Sequence, residues 1–182
     1  MRRLMLLRHA KSEWPVGVDD HERPLAKRGR KACSLMGWYM ADQALVPDLA
    51  VVSTARRARE TWKLVGPAFV RDIVRLDERR IYEASASAIL DMIGETEPGV
   101  RTLLLVGHNP GMHELALKLI GEANQSDLSR LQGKYPTAGL VVIDFEIRQW
   151  SEASEGLGRL ERFETPARVS LAVASENGPG VA

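Results

Sequence analysis

Four apolar residues in succession, Leu4-Met5-Leu6-Leu7, open the chain and stop at the polar pair Arg8-His9. So short a continuous run predicts a strand buried on both faces. A polar loop with Pro15, Gly17, Asp19 and Asp20 follows, and then Ala32, Leu35, Met36, Tyr39 and Met40 recur at the spacing of a helix stripe, with Cys33 packing beside it. Leu49-Ala50-Val51-Val52 predicts a second buried strand closed by Ser53, which is placed to cap a helix carrying Ala55, Ala58, Trp62 and Val65 on one face. A third strand is expected within Val70 to Leu76, then a short helix with Ile89, Leu90 and Ile93 capped by Gly94. Leu103-Leu104-Leu105-Val106 is a fourth strand. It runs into Gly107-His108-Asn109-Pro110, where Asn109 suits a helix cap and Pro110 a first turn, and the helix packs Met112, Leu115, Ala116, Leu119 and Ile120 before stopping at Gly121. After a polar loop through Pro136, Leu140 to Ile143 reads as a fifth strand and Gly158 to Phe163 as a sixth, at the edge of the sheet.

Alternating strands and helices predict an α/β fold, a three-layer sandwich whose mostly parallel central sheet carries helices on both faces. One domain over residues 1–174 is expected, with 175–182 as a tail that has little to bury. In such a sheet the loops leaving the carboxyl ends of parallel strands share one edge, where ligands bind. Three of those loops carry polar chemistry: Arg8-His9, Ser53 to Arg57, and His108-Asn109.

The formal charge of +1 implies no general affinity for polyanions, so nucleic acid is a poor first partner. Anion selectivity has to come from a local cluster, and Arg2, Arg3, Arg8 and Lys11 offer one near the amino terminus. A single cysteine, Cys33, rules out an intramolecular disulfide and fits a reducing cytoplasm. No apolar run approaches a membrane span, and the first segment is too short for a signal peptide.

Arginine presents a planar fork of donors to phosphate oxygens, and helix amino termini add unpaired N–H groups. Arg57 and His108 are expected at such termini. A histidine whose one nitrogen is held as a donor can attack phosphorus with the other. His9 is placed for that role, with Arg8, Arg57 and His108 meeting the charge that develops on the equatorial oxygens, without a metal or cofactor. Taken alone, His9 reads first as a satisfied structural histidine; its companions reverse that reading in favour of the functional one. Other routes to phosphoryl transfer find no support. Tyr39, not arginine, stands six positions after Cys33, and Asp-x-Asp, Walker A and Gly-x-Ser-x-Gly motifs are missing.

Arg8-His9-Ala10, Arg23-Pro24-Leu25 with Gly29, Ser53 with Arg57-Ala58 and Thr61, and Gly107-His108-Asn109-Pro110 occur in an order that resembles the histidine phosphatase superfamily, and most of all its short SixA-type phosphohistidine phosphatases. The resemblance runs through Pro136-Thr137-Ala138-Gly139 to about Pro166. It implies a phosphoglycerate mutase-like fold, His9 as nucleophile, and Arg8, Arg57 and His108 as the phosphate pocket. It also implies an acid after the third strand, for which Glu83 in Ile81-Tyr82-Glu83-Ala84 is preferred to Glu78. Arg23 is a further substrate-binding candidate, although tying down its loop through Asp19 or Asp20 is the better reading. His21 reads as a solvated loop residue, His113 as no metal ligand, and Trp14 as either an entrance or a core residue.

The expected activity is hydrolysis of phosphohistidine on a phosphorelay or phosphotransfer protein, with inorganic phosphate as product. The reason is access: the stretch from Asp77 to Arg101 has room for little beyond one short helix, and so for no lid. A small-molecule phosphomonoesterase and a binding module without turnover are the alternatives.

Overall fold

The computed structural model describes residues 1–176. Its sheet has seven strands in the order β3-β2-β4-β1-β6-β7-β5. The first four of that order are parallel: β1 (Arg2–Arg8), β2 (Leu49–Ser53), β3 (Val74–Glu78) and β4 (Thr102–Gly107). β6 (Leu140–Phe145) runs antiparallel to β1, β7 (Gly158–Glu164) antiparallel to β6, and β5 (Ile120–Ala123) parallel to β7.

Period-two alternation along β1 divides the core. Leu4 and Leu6 join α3 (Ala86–Gly94), α4 (Gly111–Leu119) and α5 (Gln125–Gly133) on one face. Met5 and Leu7 join α1 (Lys27–Asp42), α2 (Arg56–Val65) and α6 (Pro166–Glu176) on the other. The expected three-layer α/β architecture is therefore the observed one. The buried centre of α1 is Cys33, Met36, Gly37 and Met40, so the cysteine lies on the packing stripe and not beside it. Burial also raises its thiol to a pKa of about 11.

Several local expectations are corrected. Ser53 closes β2 and does not cap α2, which starts at Arg56 after Ala55; its hydroxyl is engaged by His108 instead. Asn109 does not cap α4 either. The Asn109–Pro110 peptide is cis, the helix starts at Gly111, and the Asn109 amide donates to the Tyr135 carbonyl at 3.0 Å. The third strand begins at Val74, and Glu95, one residue past Gly94, is the C-cap of α3.

The polar stretch before Pro136 contains β5 and α5. β5 has one apolar strand residue to announce it, and α5 buries only Leu131, so neither shows a stripe. Because β5 pairs outside β7, the strand expected at the edge is interior. α6 takes in Ser175 and Glu176 of the expected tail, whose remaining residues, 177–182, lie outside the described region.

The basic cluster expected near the amino terminus is split by the length of β1, which begins at Arg2 and ends at Arg8. Arg2 donates to the carbonyls of Val100 and Arg148, and Arg3 forks onto Asp144 at 2.7 Å. Arg8, the last residue of β1, and Lys11, in the loop after it, are the members of the cluster at the carboxyl edge of the sheet.

Candidate active site

The three polar loops meet at that edge. His9 leaves β1, with its N–H donating to the Gly107 carbonyl at the end of β4. Residues Arg8 and His9 are also fixed from the far side, since the Ala138 N–H lies 3.0 and 3.1 Å from their carbonyls. That contact accounts for the Pro136 to Gly139 motif. Thr61, one turn after Arg57 on α2, accepts from the Ala10 N–H at 3.0 Å and donates to the Arg57 carbonyl at 2.7 Å. Gly29 is required where α1 crosses this loop, because a Cβ there would fall 2.2 Å from the Lys11 carbonyl oxygen. The nucleophile-bearing loop expected from the sequence is thus pinned from β4, α1, α2 and the Ala138 turn.

His9 is 8% exposed, and its Nδ1 donates to the Ala10 carbonyl at 2.8 Å, which leaves the lone pair on Nε2. Its ring lies 5.1 Å from that of His108. Burial lowers the His9 pKa to about 3 against the opposing Ala10 hydrogen bond, and His108, Arg57 and Arg8 push it the same way. His108 is likewise lowered to about 3, by burial first and then by Arg57. Both rings are neutral near pH 7. Ser53 Oγ accepts from the Ala55 N–H and lies 2.7 Å from His108 Nε2, so its hydroxyl hydrogen is available to that nitrogen. The other ring nitrogen, Nδ1, is buried with no hydrogen-bond partner among the described residues. Arg8 Nε and Arg57 Nε are buried and unpartnered in the same way. Two guanidinium donors and one imidazole nitrogen are thereby left without a partner among the described residues.

A cavity of about 530 Å³ opens on Arg57 and His108. Its lining includes Asp20, Arg57, Tyr82, Glu83, His108 and Asn109. Arg8 and His9 are not among its lining residues and adjoin it through His108. Arg8 Nη1 donates to the Tyr135 carbonyl at 2.9 Å.

Sequence reasoning named Asp20 only as one of two ties for Arg23, a pairing the structure shows, and gave Tyr82 no role in the site. The Asp20 carboxylate accepts from Arg23 Nη1 at 2.8 Å, Arg57 Nη2 at 3.1 Å and the Tyr82 hydroxyl at 2.7 Å, while its carbonyl accepts from Arg57 Nη1 at 2.7 Å. These partners hold the carboxyl well below its usual range against the desolvation that opposes them. Tyr82 is raised to about 12 by burial and by Asp20, and so stays a donor. Its ring meets His108 edge-on at 5.6 Å and His21 at 4.9 Å. The Arg23-Pro24-Leu25 motif pointed to this loop, but nothing in the spacing singled out Asp20.

Arg23, the substrate-binding candidate, does not line the cavity. It is buried and spends its donors on Asp20, Ser12 Oγ and the Glu13 carbonyl. Trp14 is 74% exposed, with the Arg23 guanidinium 3.2 Å from its ring centroid, which excludes a core role. His21 bonds to Glu22 and Thr54, and His113 Nε2 to the Leu131 carbonyl. Of the two acid candidates, Glu83 lines the cavity from a backbone at φ 55°, whereas Glu78 is turned to Arg80 and lines a different cleft. Glu83 makes no side-chain hydrogen bond or ion pair with another described residue.

Fold and site define a phosphoryl-handling α/β protein, and comparison with known proteins says of which kind. Residues 4–83 match the model of the histidine phosphatase superfamily, branch 1. A solved structure assigned as phosphohistidine phosphatase SixA of Agrobacterium tumefaciens is 32% identical, with 91% of this chain and 98% of that one covered and a TM-score of 0.77. An uncharacterized protein of Mycobacterium tuberculosis is 33% identical over 88% of this chain and 99% of its own length. The fold also matches that of a protein histidine phosphatase SixA complexed with tungstate, at a TM-score of 0.72 and 18% identity. The chain belongs to the histidine phosphatase superfamily. Within it, the SixA-type phosphohistidine phosphatases are what it resembles.

Proposed function

We propose that the chain is a phosphohistidine phosphatase acting on a phosphorelay or phosphotransfer protein through a covalent intermediate on His9. The observation that carries this reading is the pair of neutral buried rings. His9 has a free Nε2 lone pair, its ring lies 5.1 Å from that of His108, and the charges of Arg57 and Arg8, whose Nε atoms are unpartnered, act on it. In the first step Nε2 attacks phosphorus and the bond from phosphorus to the leaving nitrogen breaks, its electron pair staying with that nitrogen as it takes up a proton. In the second, a water oxygen attacks, the P–Nε2 bond breaks, and phosphate leaves with His9 neutral again. Arg8, Arg57 and His108 meet the equatorial oxygens in both steps.

The covalent step is tested by brief exposure to a labelled phosphodonor followed by acid or alkaline quench. Label that is acid-labile, base-stable and lost in His9→Ala is expected; label that survives in that variant overturns the mechanism. For substrate class, the supporting observation is access: between β3 and β4 the chain adds one helix of nine residues, α3, and the cavity stays open. A histidine-phosphorylated protein, sugar phosphates and an aryl phosphate, compared side by side, are expected to rank in that order. A small-molecule phosphomonoesterase is the second reading, favoured by the free carboxylate of Glu83 at the cavity wall. Higher kcat/KM for a sugar phosphate than for the phosphoprotein would select it.

A further inference from the structure

On the other side of the Asp20–Glu22 turn from the phosphoryl pocket lies a second cleft, of about 410 Å³, lined by Glu22, Arg56, Arg59, Glu60, Lys63 and Arg75. We propose that this cleft docks an acidic segment of the protein that brings the phosphoryl group. The inference rests on the protein-substrate reading above and adds to it the surface that would select the partner.

Its cations outnumber the carboxylates able to neutralise them. Arg56 pairs with Glu60 at 2.8 Å and Arg75 with Asp77 at 2.6 Å, but Arg59 reaches Glu22 only at 3.9 Å, and Glu22 is held more closely by His21 at 2.7 Å. The Nε of Arg59 is buried without a hydrogen bond, and Lys63 has no ion pair with any described residue. The surplus continues onto α1, where Lys27, Arg28 and Lys31 are exposed and also unpaired among the described residues. The two stretches join at the cleft wall, since the Leu25 N–H donates to Glu60 Oε2 at 2.8 Å and the charge of Arg30 acts on Glu60. The formal charge of the whole chain is only +1, so this concentration is local.

Position relates the cleft to the chemistry. Arg57 is buried toward the pocket while its neighbour Arg56 is exposed toward the cleft, and Asp20 and Glu22 divide in the same way. A chain whose phosphohistidine enters the pocket would lay its flanking residues across the turn. The lining carries no aromatic ring on which a base could stack, and Glu22 and Glu60 interrupt a track for phosphates, which favours an acidic peptide over a nucleic acid. Complementary charge at such a distance raises the encounter rate and selects partners, and salt screens it.

The probes are three labelled peptides, each with one histidine phosphorylated by phosphoramidate and flanked by glutamate, serine or lysine. Binding is measured on His9→Ala, which does not turn over, and hydrolysis on the wild type. The glutamate peptide is expected to bind about tenfold more tightly than the serine peptide at about 50 mM salt, with the difference gone at about 0.5 M. Adding Arg59→Glu and Lys63→Glu abolishes the preference, and the same pair in the wild-type background leaves aryl phosphate hydrolysis within about twofold. Equal binding of the three peptides, a preference that survives the double substitution, or displacement by a single-stranded oligonucleotide at equal affinity overturns the proposal. Selective, salt-sensitive binding of the glutamate peptide without its hydrolysis, while aryl phosphate is turned over, supports the docking surface and sinks the phosphohistidine reading instead.

Discussion

The floor of the phosphoryl pocket and its rim reach comparable order by different routes. On the floor, His9 and His108 each follow a buried parallel strand directly; Ala10, next in the chain, holds His9, and Ser53 at the end of β2, 55 residues away, holds His108. At the rim, Asp20 gathers Arg23, Arg57 and Tyr82, which stand 3, 37 and 62 residues away. Desolvation dominates on the floor and holds two imidazoles neutral; charge pairing dominates at the rim and keeps a carboxylate ionised. The rim therefore restrains Arg57 through Asp20, and in the proposed mechanism an incoming phosphoryl oxygen would share that guanidinium with it.

The two regions separate most sharply on removal of His9, the proposed nucleophile. His9→Ala is expected to lower kcat by at least about 10⁴-fold while circular dichroism and Tm stay close to wild type, as steady-state kinetics and thermal melts will show. Glu83→Gln, at the rim, should lower aryl phosphate turnover by about 10²-fold and phosphohistidine turnover only a few-fold, because the P–N bond asks little of an acid. Equal loss on both substrates would make Glu83 a working acid for every substrate and favour the phosphomonoesterase reading.

Asp20→Asn should reduce kcat/KM by about tenfold by freeing Arg57. It should also cost about 1–3 kcal/mol in urea unfolding, since Arg23 and Arg57 are buried while the carboxylate itself is part-exposed. Tyr82→Phe removes one hydrogen bond to that carboxylate and should cost about 0.5–1.5 kcal/mol, with kcat changed less than in Asp20→Asn.

Titration distinguishes the regions without substitution. The His9 and His108 ring proton resonances should show no inflection between pH 5 and 8 in the free protein; an inflection near the ordinary histidine value of 6.5 would refute the neutral pair. The sign for stability follows. Between pH 6.5 and about 3 the unfolded chain binds protons that the folded one excludes, so this contribution is complete above 6.5 and is lost as pH falls toward 3. Denaturation midpoints measured from pH 7 down to pH 4 test that slope.

The parts legible in the sequence are those whose determinants are local. Leu4 to Leu7 and Leu103 to Val106 announce strands buried on both faces, and the polar residue that ends each run must lie at the sheet edge, so Arg8, His9 and His108 could be read off in order. Arg57 and Thr61 share a helix face at the spacing of one turn, which the motif already contained. β5 and α5 were not legible because their stability comes from pairing with β7 and from one buried leucine, not from a periodic stripe.

Only the tertiary structure decided the rest. It sent Arg2 and Arg3 away from the pocket, gave Ser53 to His108, chose Asp20 over Asp19 as the partner of Arg23 and added Arg57 and Tyr82 to it, and separated Glu83 from Glu78. Each outcome depends on which groups from distant parts of the chain satisfy a buried donor or charge. A strand's apolar run fixes where its end must lie; the partner of an arginine at that end is chosen in three dimensions, among groups whose sequence separation carries no signal.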